Sequence, residues 1–374
     1  MQKILVIYQG LNIDLSIPTL YDKFGSNFDI LIVCPSKIEY GLGFGIGEYD
    51  NEKTKKFTNV TIKPINLLNY KNPLLRTLYG IDLYRTIKEF KPDIIHCYTE
   101  LFSPTLSQVI FFKNLIDKEI KVVNYSWENL DWSKKILHGF FGRYAAAKIN
   151  CVVCANEEAI REVKRFDIED RKISKIYWGI DFSNFKFEDH DIGGKTEFKI
   201  GFIGRLLKDK GIQNLIESIA NLGERYNLSL IGEGADKEYF ISISNELGIQ
   251  DRIKFHGKIE YSKLKEYIKD FDIFILPSIS KPYWKEQFGR VLVEMMASGV
   301  PVIGSSSGAI PEVIGDRGLI FKEGDSIDLS EKIREILSDP IRYSQYSKSA
   351  YEYALDNYSQ DVFMERLKGL YEFI

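Results

Sequence analysis

The sequence predicts two doubly wound α/β domains, each with a parallel sheet covered by helices. Three observations support this fold class. The chain has 374 residues, which is long for one ordinary domain and suits two of roughly 180. Short apolar runs alternate with longer amphipathic stretches, as in βαβ units. The alternation stops once, at residues 181–197, and then starts again.

The first half contains several short apolar runs that read as buried strands. The strands expected there are residues 4–8, 29–33, 94–97, 121–125, 151–154 and 175–177. The clearest helical patterns are residues 74–90, 104–117, 133–148 and 157–166. Because helical stretches separate these short strands, consecutive strands should pair in parallel through helical crossovers.

The second half repeats this pattern after a polar stretch that contains Gly193-Gly194 and predicts a linker. The strands expected are residues 198–203, 228–231, 253–255, 273–276, 301–303 and 319–321. The helices expected are residues 211–222, 235–247, 261–269 and 289–298, and residues 325–374 are nearly all helical in pattern. The predicted organisation is a first domain (1–180), a linker (181–197), a second domain (198–355) and a helix that crosses back to the first domain (356–374). Ligands should bind in a cleft between the two domains.

Composition excludes several classes of protein. The net charge of −3 argues against general nucleic-acid binding. Cys151 and Cys154 lie in an apolar run that predicts a buried strand, so neither a metal nor a redox role is expected for them. No apolar run approaches the length of a membrane span, and Met1–Tyr8 is too short for a signal peptide. A cytoplasmic protein is therefore expected.

Charge is unevenly distributed between the two halves. Residues 1–180 hold 25 Lys and Arg against 21 Asp and Glu, whereas residues 181–374 hold 25 against 32. The basic excess suits an anionic acceptor or a membrane surface, and it is also compatible with ordinary surface scatter. A helical stretch, Trp132–Lys148, has an apolar stripe flanked by basic residues. The stripe predicts either a helix packed on the domain core or one that touches a membrane surface.

The first motif of the second half runs from Gly201 to Gly211, after a predicted strand and before a predicted helix. Gly204 permits a tight turn, and Arg205 and Lys210 lie in the loop that follows. Two cations beside a helix N-terminus suit a diphosphate. Taken alone, the pair is equally compatible with solvated surface side chains.

The second motif, Glu286–Val302, combines a loop carboxylate with a carboxylate in an otherwise apolar helix. Burial of Glu294 is costly unless the side chain is paired or hydrogen-bonded, and ribose hydroxyls are suitable donors. Glu286 is placed to accept hydrogen bonds from sugar hydroxyls, and the helix start at Phe288–Arg290 offers backbone N–H groups. The alternative is one surface glutamate and one glutamate paired with an arginine.

Together, these motifs resemble the retaining GT-B glycosyltransferases of family GT4. Four stretches carry the resemblance: Gly204–Gly211 (G-R-L-x-x-x-K-G), Glu286–Val302 (E-x-F-G-x-x-x-x-E-x-M-A-x-G-x-P-V), Trp178–Asp181 (W-G-I-D) and Ser307–Glu312 (S-G-A-I-P-E). Their order and spacing also fit over residues 170–330. The resemblance implies a GT-B fold and a retaining transferase that moves a hexose-type sugar from a UDP- or GDP-sugar. It implies no cofactor and no metal.

The resemblance also implies roles for individual residues. Arg205 and Lys210 would neutralise the donor diphosphate beside Glu286, which would contact the donor sugar, and these three form the predicted catalytic set. Glu294 would bind the ribose diol. Gly232 and Ile259 would border the nucleotide base. The remaining predicted donor-site residues are Gly204, Phe288, Gly289 and Arg290.

The resemblance implies that the first half binds the acceptor, which would be a glycan or a lipid-linked sugar. The reaction would then belong to polysaccharide or glycolipid synthesis. Many family members have a histidine after the strand equivalent to residues 121–125, and here that histidine is absent. Glu128 and Asn129 are candidates to replace it, or they form a polar capping loop. His96 is a further candidate on the acceptor side, with a buried packing role as its alternative.

Three rival functions fit parts of the pattern. A GT-B-shaped nucleotide-sugar 2-epimerase would need histidines in the cleft, and the chain has only four. A non-catalytic nucleotide-sugar binder is disfavoured because all four charged motif residues are present. A dehydrogenase would need G-x-G-x-x-G after a domain's first strand, which neither half has.

Overall fold

The computed structural model describes residues 1–12, 14–24, 27–40, 45–72, 75 and 77–374. The chain divides into two compact units. The first contains Met1–Ile176 together with Met364–Ile374, and the second contains Tyr177–Phe363. Each unit has its own parallel sheet, which confirms the predicted two-domain, Rossmann-like fold.

The first unit is built around a seven-stranded sheet in the order β5-β2-β1-β6-β7-β8-β9. Every neighbouring pair in it is parallel. The interior strand that contains Ile4 to Ile7 is deeply buried, since these residues are at most 1% exposed. The strands of the sheet are β1 (Gln2–Tyr8), β2 (Phe28–Pro35), β5 (Val60–Ile65), β6 (Ile94–Tyr98), β7 (Lys121–Ser126), β8 (Cys151–Cys154) and β9 (Ile173–Lys175). Two further strands, β3 (Lys37–Tyr40) and β4 (Gly45–Glu48), form a separate antiparallel pair.

Three helices of the first unit begin at a side chain that caps them. Ser103 accepts a hydrogen bond from the Thr105 N–H ahead of Pro104, and Asn156 accepts one from the Ala159 N–H. The helices are α1 (Ser16–Asp22), α2 (Asn51–Thr54), α3 (Ile81–Phe90), α4 (Pro104–Ile116), α5 (Ile136–Lys148) and α6 (Glu157–Lys164). Helix α3 is shorter than the predicted 74–90, part of which lies outside the described residues.

The second unit contains a six-stranded parallel sheet in the order β12-β11-β10-β13-β14-β15. Its strands are β10 (Phe198–Ile203), β11 (Tyr226–Ile231), β12 (Ile253–Gly257), β13 (Ile273–Leu276), β14 (Val302–Ser305) and β15 (Leu319–Phe321). Its helices are α7 (Ile212–Ala220), α8 (Lys237–Glu246), α9 (Leu264–Ile268), α10 (Arg290–Ala297), α11 (Ile310–Ile314), α12 (Ser326–Leu337), α13 (Pro340–Tyr358) and most of α14 (Gln360–Phe373).

The unit boundaries differ from the predicted domain limits in two places. Residues 181–197 do not form a separate linker, because Phe185 and Ile192 are buried in the second unit's core. Helix α14 starts in the second unit and its last turns belong to the first. There, the Tyr371 hydroxyl forms hydrogen bonds with Tyr21 and His96. These contacts return the chain to the first unit, as predicted for the C-terminal helix.

No helix within the described residues is both long and apolar enough to span a membrane.

Candidate functional site

Most motif residues of the second half lie on loops that follow β10, β11, β13 and β14, and Glu294 lies on α10, the helix after β13. These strands are parallel neighbours, so their carboxyl ends meet at one edge of the second unit's sheet. The loop after β10 holds Arg205 and Lys210, and the loop after β13 holds Glu286. Residues far apart in sequence are therefore collected at one edge, where an open α/β sheet binds its ligands.

Glycines bring the backbones of these loops into contact. A Cβ on Gly232, whose φ is +140°, would lie 1.8 Å from the Gly204 carbonyl oxygen. A Cβ on Gly211, whose φ is +68°, would lie 1.8 Å from the Pro277 carbonyl oxygen. Both positions thus require glycine for conformation and for space. Gly204 does not have a positive φ, and a Cβ there would lie 3.1 Å from the Phe202 ring.

Lys210 and Glu286 form the central ion pair of the site. The Lys210 ammonium lies 2.8 Å from Oε2 of Glu286, and both side chains are largely buried, at 14% and 13% exposure. The Ser278 hydroxyl donates to the same carboxylate oxygen, and the Trp284 ring centroid lies 4.3 Å from the ammonium. The ammonium is therefore held at a fixed point, with the carboxylate and the aromatic ring as neighbours.

Arg205 differs from Lys210 in that its side chain is exposed. Within the part of the chain that the structure describes, its guanidinium makes no ion pair or hydrogen bond. It follows β10 at the same sheet edge as Lys210. An exposed, unpaired guanidinium at this edge is available to bind an anion in bidentate fashion.

Glu294 lies inside α10 at 4% exposure and is satisfied by two donors. Arg290 Nε donates to its Oε1 at 2.9 Å, and the Tyr261 hydroxyl donates to the same oxygen at 2.8 Å. Burial raises the pKa of Glu294, and the Arg290 charge opposes the rise. Among the described residues, Oε2 receives no hydrogen bond, so this oxygen is the one that a ligand hydroxyl would use.

The start of α10 is shaped by Gly289, which caps the helix with a φ of +76°. Phe288 is 7% exposed and packs edge-on against Tyr358. The N–H groups of a helix's first turn have no partner within the helix, so α10 presents donors at its start. The side chain of Arg290 contacts Glu294, one turn further along the helix. A contact between the Arg290 backbone N–H and the donor stays a prediction.

The two residues predicted to border a nucleotide base occupy different surroundings. Gly232 packs on the Gly204 loop. Ile259 follows β12 and is half-buried against the core of the second unit. Neither placement tests the predicted contact with a base.

Sequence reasoning missed several residues at this sheet edge. Tyr261 and Ser278 each complete a glutamate's hydrogen bonds, and Trp284 covers the lysine. Glu312, in the matched Ser307–Glu312 stretch, accepts a hydrogen bond from the Tyr177 hydroxyl at 2.9 Å. The only available signal was proximity to a motif, since tyrosine, serine and tryptophan carry no sequence pattern for these contacts.

In the first unit, Glu128 and Asn129 follow β7. Glu128 Oε1 accepts hydrogen bonds from the N–H groups of Asn129 and Leu130, both at 3.0 Å, and Asn129 Nδ2 donates to Glu158. These bonds order a polar loop, which precedes α5 and does not cap it. Asn129 is 2% exposed, which leaves it little surface for an acceptor, whereas Glu128 is only half-buried.

His96 lies in the middle of β6 at 0% exposure, not at a strand end. Its Nδ1 forms hydrogen bonds with the hydroxyls of Tyr21 and Tyr371, and its ring stacks on Tyr98. Burial lowers the pKa of His96 to about 3, so the ring stays neutral. The structure thus replaces the predicted acceptor-side role with a packing role, because the ring has no surface to offer.

A carboxylate that the sequence did not reveal, Glu100, follows β6 in the first unit. Its oxygens accept hydrogen bonds from the Ser126 hydroxyl and from the N–H groups of Trp127 and Glu128. Burial raises the pKa of Glu100 to about 7, although the bonds from Ser126 and Trp127 oppose the rise. Glu100 therefore orders the start of the loop that carries Glu128.

We expect the Glu100 pKa to produce a pH-dependent stability. Between about pH 4.5 and pH 7 the unfolded chain loses the proton that the folded protein retains, so stability falls as pH rises through this window. Glu100→Gln should remove this loss. The melting temperature of the variant minus that of wild type should be larger at pH 8 than at pH 5, by roughly 5–10 °C. Thermal unfolding of both proteins at both pH values measures this, and an equal offset at the two pH values would contradict it.

Within the described residues, no three His, Cys, Asp or Glu side chains are grouped so as to hold a metal ion.

Comparison with known proteins follows the same division of the chain. The family model described as Glycosyltransferase Family 4 matches residues 44–184, and the model described as Glycosyl transferases group 1 matches residues 185–353. The second match contains Arg205, Lys210, Glu286 and Glu294. The junction of the two matches falls close to the boundary between the two units.

Curated relatives and solved structures agree with these matches. An uncharacterized glycosyltransferase of Methanocaldococcus jannaschii is 28% identical over 63% of this chain and 61% of its own length. The capsular polysaccharide biosynthesis glycosyltransferase CapM of Staphylococcus aureus is 28% identical over 52% of each chain. These matches span only about half to three fifths of the relatives' lengths. Anabaena HepE in complex with UDP is 16% identical, with a TM-score of 0.79 over the full length of both chains.

Proposed function

Because the chain is a GT4-like glycosyltransferase with the GT-B fold, we propose that it moves a hexose-type sugar from a nucleotide-diphosphate sugar to an acceptor hydroxyl, with retention of anomeric configuration and without a metal. The donor is a UDP- or GDP-sugar. The acceptor is a glycan or a lipid-linked sugar, in the synthesis of a cell-surface polysaccharide or glycolipid. The protein acts in the cytoplasm, in peripheral contact with the inner membrane face.

The observation that carries this proposal is the Lys210–Glu286 pair at the edge of the second sheet. It holds an ammonium at a fixed point, 2.8 Å from a carboxylate, beside the start of the loop that leads into α10. A diphosphate bound there would meet the Lys210 ammonium and the exposed Arg205 guanidinium. Glu286 would accept hydrogen bonds from the hydroxyls of the attached sugar, next to the charged phosphates.

The chemistry of sugar transfer explains why two cations are needed. Cleavage of the anomeric C–O bond leaves negative charge on the departing phosphate and positive character on the sugar. Fixed cations stabilise the first of these charges as it develops, which is the role of a divalent ion in other phosphate chemistry. Lys210 and Arg205 are the residues that we propose for this role, together with the N–H groups at the start of α10.

Glu294 is proposed to bind the ribose. Its Oε1 accepts hydrogen bonds from Arg290 and Tyr261, which fix the carboxylate, and Oε2 is the oxygen that we propose for the ligand. A carboxylate accepts hydrogen bonds from two neighbouring hydroxyls, as ribose presents. This contact is remote from the bond that breaks, so it contributes to binding of ground state and transition state alike.

Two of the compared proteins support the choice of substrates. HepE was solved in complex with UDP and with UDP-glucose, which supports a UDP-sugar donor for a chain of the same fold. CapM belongs to capsular polysaccharide biosynthesis, which supports a glycan acceptor. We propose no protein side chain as the general base, and the leaving phosphate itself is the proposed acceptor of the hydroxyl proton.

A donor panel tests the proposal. With EDTA present, the protein is incubated with UDP-, GDP- and ADP-sugars, and nucleotide release is measured. We expect slow hydrolysis of one donor without metal. Glu294→Gln should raise the KM for that donor roughly tenfold or more with little change in kcat, because it weakens uniform binding. The matched control is Glu331→Gln, which changes an exposed glutamate on α12 and should leave the KM unchanged.

Other outcomes would overturn parts of the proposal. If hydrolysis appears only when Mg²⁺ or Mn²⁺ is added, metal independence is wrong. If no donor turns over and none changes the melting temperature, the protein does not use nucleotide sugars. If a donor binds and is never cleaved, even with glycan acceptors present, the non-catalytic binder is the better description.

A further inference from the structure

Two neighbouring helices of the first unit expose large apolar side chains to solvent. On α5, Ile136 is 90% exposed, Leu137 is 56% and Phe140 is 66%. On α4, Phe111 is 53% exposed and Leu115 is 60%. The helices pack side by side, and Phe111 and Phe140 line one open groove of about 400 Å³. We call these five side chains the α4–α5 patch.

The α4–α5 patch differs from ordinary exposed residues. Single exposed apolar side chains are normal, whereas a cluster of them marks a surface that meets something apolar. Ile136 and Phe140 are four residues apart on one helix, as are Phe111 and Leu115 on the other, so each pair shares a helix face. The apolar stripe of α5 therefore does not serve only to pack the helix on the domain core, which was one of the two predictions for it.

The charges around the patch identify what it meets. Neither α4 nor α5 contains an Asp or a Glu. Lys134 and Lys135 precede α5, and Arg143 and Lys148 lie within it. Lys134 and Arg143 have acidic neighbours, Asp131 at 3.7 Å and Asp167 at 3.2 Å, and these pairs are exposed and weak. The exposed apolar side chains of α5 are flanked by lysine and arginine, a combination that matches a bilayer whose surface is anionic. The exposed acidic residues Asp117 and Glu119 follow the far end of α4.

We propose that the α4–α5 patch docks the protein on an anionic lipid surface. The exposed side chains enter the boundary between headgroups and acyl chains, and the flanking lysines and Arg143 contact the anionic headgroups. A second copy of the chain is a poorer fit, because a symmetric contact through this patch would bring its like charges together. The proposal specifies the surface for the membrane contact of the proposed function, and it needs neither donor nor acceptor to be tested.

Vesicle sedimentation tests the docking surface. The wild-type protein is mixed with vesicles of phosphatidylcholine alone, or of phosphatidylcholine with phosphatidylglycerol, at low and at high salt. We expect binding to the anionic vesicles that weakens at high salt. The double variant Ile136→Glu/Phe140→Glu should bind at least about tenfold more weakly. Lys134→Gln should weaken binding about fivefold, as expected for one surface charge.

Matched controls separate this proposal from the proposed function. Ile341→Glu changes a 74% exposed isoleucine of the second unit and should bind vesicles like wild type. Lys210→Ala should also bind vesicles like wild type, so failure of donor turnover leaves the vesicle result standing. Equal binding by wild type and the double variant, or no binding to anionic vesicles, overturns the docking proposal. So does a wild-type dimer in sedimentation velocity that the double variant converts to monomer, because a second copy would then cover the patch.

Discussion

Lys210→Ala is expected to lower the rate of donor cleavage by about 10²–10³, because it removes a fixed cation from the charge that develops on the leaving diphosphate. The position of the Lys210 ammonium is fixed by its neighbours in the site. Its ammonium is held by Glu286 and covered by Trp284. Steady-state kinetics with the donor identified in the panel measure the loss, and calorimetry with the free nucleoside diphosphate measures the accompanying loss of affinity.

Lys208→Ala is the matched control for this variant. Lys208 lies two residues earlier in the same loop, and its ammonium lies over the Tyr239 ring, 4.0 Å from the centroid. Both variants remove one lysine from one loop, so general effects on charge and loop stability are shared. We expect near wild-type turnover for Lys208→Ala. A similar loss in both variants, or turnover of Lys210→Ala within a few fold of wild type, would remove Lys210 from the proposed mechanism.

Gly211→Ala is expected to destabilise the second unit severely, because its Cβ would lie 1.8 Å from the Pro277 carbonyl oxygen. Neither partner can move aside easily, since both are backbone in loops that are tied together by the hydrogen bond from the Ile279 N–H to the Asp209 carbonyl. We expect a loss of at least about 3 kcal/mol, from overpacking added to backbone strain. Thermal unfolding and the yield of folded protein measure it.

Gly248→Ala isolates the steric part of this effect. Gly248 has the same φ of +68°, and a Cβ there would meet nothing within 4 Å. The substitution therefore carries only the conformational cost, about 1 kcal/mol, or a few degrees in melting temperature. If the two alanine variants melt at the same temperature, the close approach at Gly211 is not what holds the donor loops together.

Regular strands of the second half were predictable because burial on both faces leaves continuous apolar runs. The interior strands at residues 198–203 and 273–276 were predicted with the observed bounds. One edge strand of the first unit's sheet was harder to predict from the sequence. Strand β5, Val60–Ile65, was missed because it contains Lys63 and Pro64, and only its last residue is buried. Such a strand at a sheet edge has no periodic apolar signal.

The site was predictable only as far as its charged motif residues. Lys210 and Glu286 could be placed near one sheet edge, since both follow parallel strands, whereas their direct contact depends on the loop paths that Gly211 and Gly308 permit. Tyr261, Ser278 and Glu100 could not be found in advance. Each completes the hydrogen bonds of a partner more than seven residues away in sequence, and such pairings are set by tertiary packing.

The last turns of α14 have a consequence for how the protein is made. Tyr21 and His96 form hydrogen bonds with a tyrosine that lies 350 and 275 residues later in the chain. During synthesis, the first unit therefore lacks these two hydrogen bonds until the whole second unit has been translated. The last contacts of the first unit join segments far apart in sequence, and we expect this separation to slow the completion of its folding. We expect the nascent first unit to depend on chaperones until α14 reaches it.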